Sequence, residues 1–246
     1  MNNVVRFGLA AAAVLVAIFV GIQLFGGTNV GGPSPAETPS PTLQATASAT
    51  PQATPSLTTA DAVPPAGPLA IGRHSLIVEG VPFSLEVLAG WISNGEFGID
   101  KDVGVTPEGA GFIFWTGGSP VGVFADPCAQ VESPPAGPPA ADLAAALTTI
   151  PGTDVVSGPS DVTVGGRPAK HVVLTVRDDI ACEPEQFYLW YNEATGRYAT
   201  ALGSTIRVWI VDVGEARVWI DGETYKGASP EVEQELQQIV DSIQFE

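Results

Sequence analysis

Residue types that carry enzyme chemistry or bind polyanions are scarce in this sequence. It contains two histidines, two cysteines and one methionine, and its ten Lys and Arg residues face 27 Asp and Glu, for a net charge of −17. An acidic surface repels phosphate backbones, so we do not expect nucleic acid as a partner. Two cysteines suffice for one disulfide and are too few for a structural zinc site.

Familiar catalytic motifs are also missing. The domain has no G-x-S-x-G, S-x-x-K, H-E-x-x-H or G-x-G-x-x-G motif and no P-loop. Only His74 and His171 could serve as a histidine base, and both are predicted in strands or beside them. We therefore assign no catalytic residue and no cofactor. Because the members of a triad can lie far apart in sequence, an extracytoplasmic hydrolase or other carboxylate-dependent enzyme is an alternative function.

One long apolar run is present near the start of the chain. Residues 7–25 contain one polar side chain, Gln23, and no charge; as a helix they would span about 28 Å, close to the hydrocarbon core of a bilayer. Arg6 precedes the run and no Lys or Arg follows before Arg73, which favours a cytoplasmic tail, residues 1–6. The run is longer than a signal-peptide core and lacks a small-residue cleavage site. We predict an uncleaved single-pass anchor in the cell membrane rather than a cleaved signal peptide.

A stretch dominated by Pro, Ser and Thr follows at residues 26–68. Residues 28–68 hold nine prolines and twelve Ser or Thr, with few large apolar side chains. This composition predicts a disordered, extended stalk, either a plain spacer or an O-glycosylated one. Residues 69–246 are numerous enough for one extracytoplasmic domain with its own core.

The pattern of residues 69–246 predicts an α+β fold, an antiparallel β-sheet with helices packed on it. Helices are predicted at residues 140–149 and from Pro230 onward, behind the N-cap Ser229. Strands are predicted at residues 73–79, 83–88, 112–115, 121–124, 161–164, 169–177, 186–191 and 197–202, with a turn at 80–82 and a loop over most of 94–111. A repeated Arg-Val-Trp-Ile, at 207–210 and 217–220, predicts a hairpin with Ile210 opposite Trp219 and Asp212 opposite Arg217. Both faces of this hairpin are apolar, so we expect it inside the sheet with cover on both sides.

Two segments resemble a known family. Residues 81–91, which end in Gly90-Trp91, resemble the opening strand of Mog1/PsbP-like domains, although Ala89 stands where that family usually has proline. Residues 235–245 resemble the helix and strand that close such domains. The middle, at residues 124–128 and 187–190, is similar to extracytoplasmic domains of bacterial single-pass membrane proteins. The resemblance implies an α/β/α sandwich that acts as a non-catalytic accessory or binding domain.

The two cysteines predict a disulfide between Cys128 and Cys182. The anchor places both outside the cytoplasm, where disulfides persist. Two free buried cysteines or an intermolecular bridge are the alternatives.

Two further kinds of site are suggested by the side chains. Calcium is a hard ion that binds carboxylate oxygens and is available outside the cell. The candidate ligands could equally be solvated loop residues. They are Asp100, Asp102, Asp126, Asp178, Asp179 and Glu183. Aromatic residues crowd the hairpin at 186–202, so Tyr188, Trp190 and Tyr198 could form a binding surface or pack in the core.

From these features we expect a membrane-tethered, non-catalytic extracytoplasmic domain that binds an envelope protein, a polymer or a small ligand. Besides the enzyme, the other alternative is an envelope-sensing regulator. The predicted six-residue cytoplasmic tail is too short for a signalling domain, which argues against a regulator.

Overall fold

A computed structural model describes residues 65–78, 80–95, 98–101, 106–117, 120–193 and 195–246. The predicted tail and anchor and all but the last residues of the predicted stalk lie outside these ranges. Among the described residues, no helix has the length and apolar character needed to cross a membrane.

The described chain is mostly antiparallel β-sheet with two α-helices. The strands are β1 (Gly67–Pro68), β2 (Gly72–Val78), β3 (Val81–Val87), β4 (Trp91–Ser93), β5 (Gly98–Lys101), β6 (Ala110–Gly117), β7 (Gly122–Asp126), β8 (Val131–Glu132), β9 (Thr153–Val164), β10 (Arg167–Val176), β11 (Tyr188–Tyr191), β12 (Gly196–Tyr198), β13 (Thr205–Val213), β14 (Ala216–Thr224) and β15 (Gln244–Phe245). The helices are α1 (Ala140–Leu147) and α2 (Pro230–Asp241), with a short 3₁₀ turn at Pro184–Gln186.

The main sheet has eight strands in the order β1-β4-β5-β6-β14-β13-β10-β9. Its centre is the predicted hairpin of β13 and β14, in which Ile210 pairs with Trp219 and Asp212 with Arg217, so the predicted register is confirmed. The turn between them has Gly214 at φ 64°, a conformation that glycine adopts without strain. Because β6 and β10 flank this hairpin, both of its strands are internal.

Each face of the main sheet is covered by one helix and one smaller sheet. On one face, Trp209, Val211 and Ile220 pack with α2 and with the sheet of order β15-β3-β2. On the other face, Ile210 and Trp219 pack with α1 and with the sheet of order β12-β11-β7-β8. There are therefore two apolar cores, the first between the main sheet and α2 and the second between the main sheet and α1. This explains why both faces of the central hairpin are apolar.

Both helices lie close to where the sequence predicts them. The side chain of Ser229 accepts a hydrogen bond from the Val232 N–H at the start of α2, and Pro230 occupies the first turn, as predicted. The buried stripe of α2 consists of Val232, Leu236, Ile239 and Val240. Helix α1 buries Leu143 and Leu147 against the second core and ends at Leu147, slightly earlier than predicted.

Several segments differ from the sequence prediction. The strand predicted at 197–202 ends at Tyr198, and the one predicted at 186–191 begins at Tyr188, after the 3₁₀ turn. Residues 98–101, predicted as loop, form β5 and pair on both sides, with β4 and with β6. Strand β9 begins at Thr153, well before the predicted start at Asp161. Val78 pairs with Val81, so the chain turns before Val81 and Pro82 lies inside β3. In addition, Gly67 and Pro68, assigned to the stalk from composition, pair with β4.

Candidate functional site

The predicted disulfide is confirmed. Cys128 and Cys182 are bonded, with their Cα atoms 5.7 Å apart. The bond joins the turn after β7 to the segment that leads into β11, and both cysteines pack against the second core. It therefore fixes one end of the four-stranded sheet. Such a bond is typical of proteins that fold outside the reducing cytoplasm.

Asp126 and Asp179 line the same hollow, of about 280 Å³, beside the disulfide. Their carboxylates are already occupied. Asp126 accepts hydrogen bonds from the Cys128 and Ala129 N–H groups, and Arg177 donates two hydrogen bonds to Asp179. This hydrogen bonding by Arg177 is the main cause that lowers the pKa of Asp179.

Of the other calcium candidates, Asp178 is adjacent to Asp179 and lines a second hollow with it, and the remaining ones are on other segments. Asp178 forms an ion pair with Lys226 at 2.7 Å, Glu183 precedes the 3₁₀ turn, and Asp100 lies in β5. Asp102 is outside the described residues. In the part of the chain that the structure describes, no group of three or more His, Cys, Asp or Glu side chains is placed to hold a metal ion.

A row of four aromatic rings, which we call the aromatic surface, lies outside both apolar cores on the four-stranded sheet. The Phe124 ring packs against Tyr191 and Tyr188, with centroid distances of 5.4 and 5.6 Å, and Tyr188 packs against Tyr198 at 5.9 Å. Exposure rises along the row. Phe124 and Tyr191 are buried, Tyr188 is half-buried and the Tyr198 side chain is 44% exposed. The row therefore presents its Tyr198 end to solvent.

Two glycines make room for these rings. A Cβ atom on Gly196 would lie 2.8 Å from the Tyr188 ring, and one on Gly122 would lie 2.6 Å from the Tyr191 hydroxyl oxygen. The Tyr191 hydroxyl donates a hydrogen bond to the Ser133 carbonyl at 2.8 Å, which fixes the buried end of the row. Burial, together with the nearby Glu132, raises the pKa of Tyr191, so it stays a neutral donor.

Trp190 does not belong to this surface, so its place among the predicted surface residues is wrong. It is 1% exposed and packs edge-on against Trp115 in the second core, at a centroid distance of 6.3 Å. The irregular pairing of β11 with β12 between Tyr188 and Trp190 explains the difference. At this register shift, simple alternation no longer decides which side chains share a face.

A buried ion cluster lies directly beneath Tyr198. It consists of Arg197, Asp221 and Glu223, whose side chains are all 6% exposed or less. Arg197 Nε donates to Asp221 Oδ2 at 2.5 Å and Nη2 donates to Glu223 Oε2 at 2.7 Å. Nη1 donates to the Tyr198 carbonyl. The cluster thus ties β12, and with it Tyr198, to the centre of the main sheet.

The charges of this cluster explain its pKa shifts. Burial alone would lower the pKa of Arg197, but Asp221 and Glu223 outweigh it and the pKa rises above its usual value. Burial raises the pKa of Asp221, and the attraction of Arg197 offsets only part of that rise. One buried cation thus serves two buried carboxylates, so loss of Arg197 would leave both without a counter-charge.

Two partly buried groups extend this cluster toward solvent. Burial raises the pKa of Asp100, and the nearby Glu223 adds to the rise while Arg197 opposes it. Burial, Glu223 and Asp100 raise the pKa of Tyr225 to about 12. Gly111 in β6 pairs with Asp100 in β5 on one side and with Glu223 in β14 on the other. A Cβ atom on Gly111 would lie 2.7 Å from Asp100 Oδ1.

The two histidines have separate surroundings. His74 lies in β2, with its Nε2 atom 2.7 Å from the Ala70 carbonyl oxygen. His171 lies in β10 and stacks on Trp209, with ring centroids 4.7 Å apart. Burial, and secondarily Arg207, lowers the pKa of His171. The structure therefore uses His171 as a packed neutral ring.

Sequence reasoning missed the buried ion cluster, although one signal was present. Asp221 and Glu223 are two residues apart on β14 and follow Trp219 on the same face, which is buried. A buried carboxylate requires a cation or several donors. The basic partner, Arg197, is a neighbour only through the tertiary fold.

Comparison with known proteins shows limited likeness. No protein-family model matches the chain, and no curated protein matches it significantly. A solved structure with some similarity is that of LpqN, involved in cell envelope biogenesis of Mycobacterium tuberculosis, with a TM-score of 0.43 and 12% identity over 71% of this chain and 91% of LpqN. Another, from Bacteroides thetaiotaomicron, has a TM-score of 0.32 and 12% identity over 67% of this chain and 45% of that protein. Scores of this size do not establish a shared fold.

Proposed function

We propose that this chain is a membrane-tethered, non-catalytic extracytoplasmic domain that binds an envelope component through the aromatic surface. The observation that carries the proposal is the exposed Tyr198 end of a ring row whose other members are packed. Tyrosine offers both an apolar face and a hydroxyl, which is why it is enriched at binding interfaces.

The position of Tyr198 is fixed before any partner arrives. Arg197 binds the Tyr198 carbonyl and two carboxylates of the main sheet at once. Gly196 allows the Tyr188 ring to lie against β12. A backbone segment held in this way need not be ordered on binding, so more of the contact energy contributes to affinity.

The location outside the cytoplasm rests on the disulfide and on the apolar run at residues 7–25. The disulfide suits an oxidising compartment. The stalk would then place the domain at some distance from the bilayer. The relationship to Mog1/PsbP-like domains is part of the same proposal, supported by the order of elements at the chain end, where α2 is followed by β15 and β15 pairs with β3.

Binding can be tested with a photo-crosslinking amino acid at position 198 of the full-length chain in intact envelopes. We expect a discrete adduct at position 198. Ile71 is the matched control, since it is 73% exposed and lies in the segment just before β2. Equal labelling at both positions, or no adduct at position 198, would contradict the proposed surface.

The topology can be tested by adding protease to intact cells. If residues 1–6 are cytoplasmic, cleavage in the stalk should release a soluble fragment that contains the disulfide. Protection of the domain, together with access to the N-terminus, would reverse the orientation.

A further inference from the structure

The proline-rich segment between β8 and α1, residues 133–139, is a second exposed feature of the domain. Its sequence is Ser-Pro-Pro-Ala-Gly-Pro-Pro, and all four of its prolines are exposed. Each proline fixes φ at about −65°, and a residue that precedes proline is held in extended backbone. Together these two effects favour polyproline II geometry. At Pro139, φ is −62° and ψ is 146°, which is this geometry.

The hydrogen bonds of the segment also have the period of a polyproline II helix. The Ser133 and Ala136 N–H groups both donate to carbonyls of the chain around the start of β7. Residues three apart lie on the same edge of a polyproline II helix, whereas in a β-strand they point in opposite directions. Ser133 and Ala136 therefore form the edge that faces the protein. Pro135 and Pro138, which are also three apart, form another edge, and both are exposed.

Two buried side chains hold the segment in place. The Tyr191 hydroxyl donates to the Ser133 carbonyl at 2.8 Å, and the Arg217 guanidinium donates to the Gly137 carbonyl at 2.6 Å. The carbonyls of residues 134–136 accept no hydrogen bond from the described part of the chain, so they are open to an outside donor. A segment that is already ordered loses little conformational entropy when it binds.

Both ends of the segment are acidic. Glu132 precedes it and Asp142 lies in the first turn of α1; both are exposed, and no Lys or Arg stands between them in the sequence. A Cβ atom on Gly137 would collide with the Asp142 carboxylate, so this carboxylate lies directly against the segment. A partner surface that complements these charges has basic side chains at its rim.

We propose that residues 133–139 are a docking site for a partner protein that recognises polyproline II helices with an aromatic groove bordered by basic side chains. Pro135 and Pro138 pack between the aromatic rings of the groove, and its tryptophan or tyrosine donors bind the open carbonyls. Such grooves gain affinity from a ligand that already has the polyproline II conformation.

The chain provides its own control for this proposal. Pro-Pro-Ala-Gly-Pro occurs at residues 134–138 and again at residues 64–68. In the second of these places Gly67 has φ 144°, and Gly67 and Pro68 pair with β4, so that copy departs from polyproline II geometry. Gly137 has no positive φ. The two copies therefore separate the effect of conformation from that of composition.

The test uses the full-length chain with a photo-crosslinking amino acid at position 134, in a detergent extract of its native cells. We expect an adduct that excess decaproline, itself a polyproline II helix, suppresses several-fold. A peptide of residues 133–139 with all four prolines replaced by alanine should not suppress it. A crosslinker at Val131, which is 53% exposed in β8, is the matched control and should give no adduct that decaproline suppresses.

Two double variants sharpen the test. Pro135→Ala with Pro138→Ala should reduce the adduct several-fold at a melting temperature close to that of wild type. Pro65→Ala with Pro68→Ala, in the other copy, should leave the adduct unchanged. No adduct at position 134, suppression by both peptides or by neither, or equal effects of the two double variants would overturn the proposal. An adduct that consists of two copies of this chain would show that a second copy is the occupant and would overturn it as well.

Discussion

Arg197 Nε and Asp221 Oδ2 lie 2.5 Å apart between two strands that belong to different sheets. Arg197 is in β12 of the four-stranded sheet, and Asp221 is in β14 at the centre of the main sheet. The pair is thus a buried polar link between two layers that also share an apolar core. Because Arg197 also donates to the Tyr198 carbonyl, the same link holds the backbone of this exposed residue.

Replacing Arg197 with methionine should destabilise the fold strongly. The methionine fills much of the space but leaves Asp221 and Glu223 buried without a counter-charge, which typically costs about 3–5 kcal/mol. Chemical denaturation of wild type and Arg197→Met would measure the difference in the free energy of unfolding.

A matched control is Arg207→Met. Arg207 pairs with Glu233 at 2.8 Å, but the Glu233 side chain is 46% exposed. Loss of such a pair is expected to cost about 1 kcal/mol or less. Similar losses of unfolding free energy in the two variants would mean that the buried ion cluster stabilises the fold no more than an exposed ion pair does.

The disulfide should be a major contributor to stability. Cys128 and Cys182 are 54 residues apart in sequence, and closing a loop of this length is worth about 4 kcal/mol in the chain-entropy model. The paired change Cys128→Ser and Cys182→Ser should therefore lower the urea midpoint and leave the chain insensitive to reductant. A variant as stable as the oxidised wild type would refute this estimate.

The pH dependence of stability should include a contribution from His171. Its pKa is lowered in the folded state, mainly by burial, so the unfolded chain takes up the proton first. Stability should therefore fall as the pH drops below about 6.5, the ordinary histidine value. His171→Phe keeps a ring on Trp209 and removes the titration. The loss of stability between about pH 7.5 and pH 5.5 should be smaller in this variant, and an equal loss would show that other groups are responsible.

Much of the fold could be predicted because local sequence determined it. The Arg-Val-Trp-Ile repeat and Gly214 set the register of the β13–β14 hairpin, and Ser229 with Pro230 set the start of α2. These signals act over a few residues. The disulfide was predictable for a different reason, since only two cysteines are present to pair.

What could not be predicted depends on long-range pairing. Strand β5 is short and polar in part, and it is a strand because β4 and β6 bind it from both sides. The first half of β9 is exposed on both faces and so shows no alternation; its pairing with β10 defines it. Of the three aromatic residues proposed from sequence for a binding surface, Tyr188 is half-buried and Tyr198 is exposed, whereas Trp190, beyond the register shift in β11, is buried.

The contrast between Trp190 and Tyr198 gives the most direct test of the proposed surface. Trp190 is 1% exposed in the second core, and Tyr198 is 44% exposed at the end of the ring row. Trp190→Ala should cost about 3–5 kcal/mol of unfolding free energy because it opens a cavity. Tyr198→Ala should cost about 1 kcal/mol or less, since it loses only part of one aromatic contact.

For capture of the partner the order should be the opposite, with Tyr198→Ala having a larger effect than Trp190→Ala. With crosslinkers at solvent-facing positions beside the aromatic surface, Tyr198→Ala should reduce adduct formation severalfold while its melting curve stays close to that of wild type. Phe124→Leu, which alters a packed member of the same row, serves as the control for indirect effects. If Tyr198→Ala captures the partner as well as wild type does, the exposed end of the row is not the contact, and the aromatic surface is packing alone.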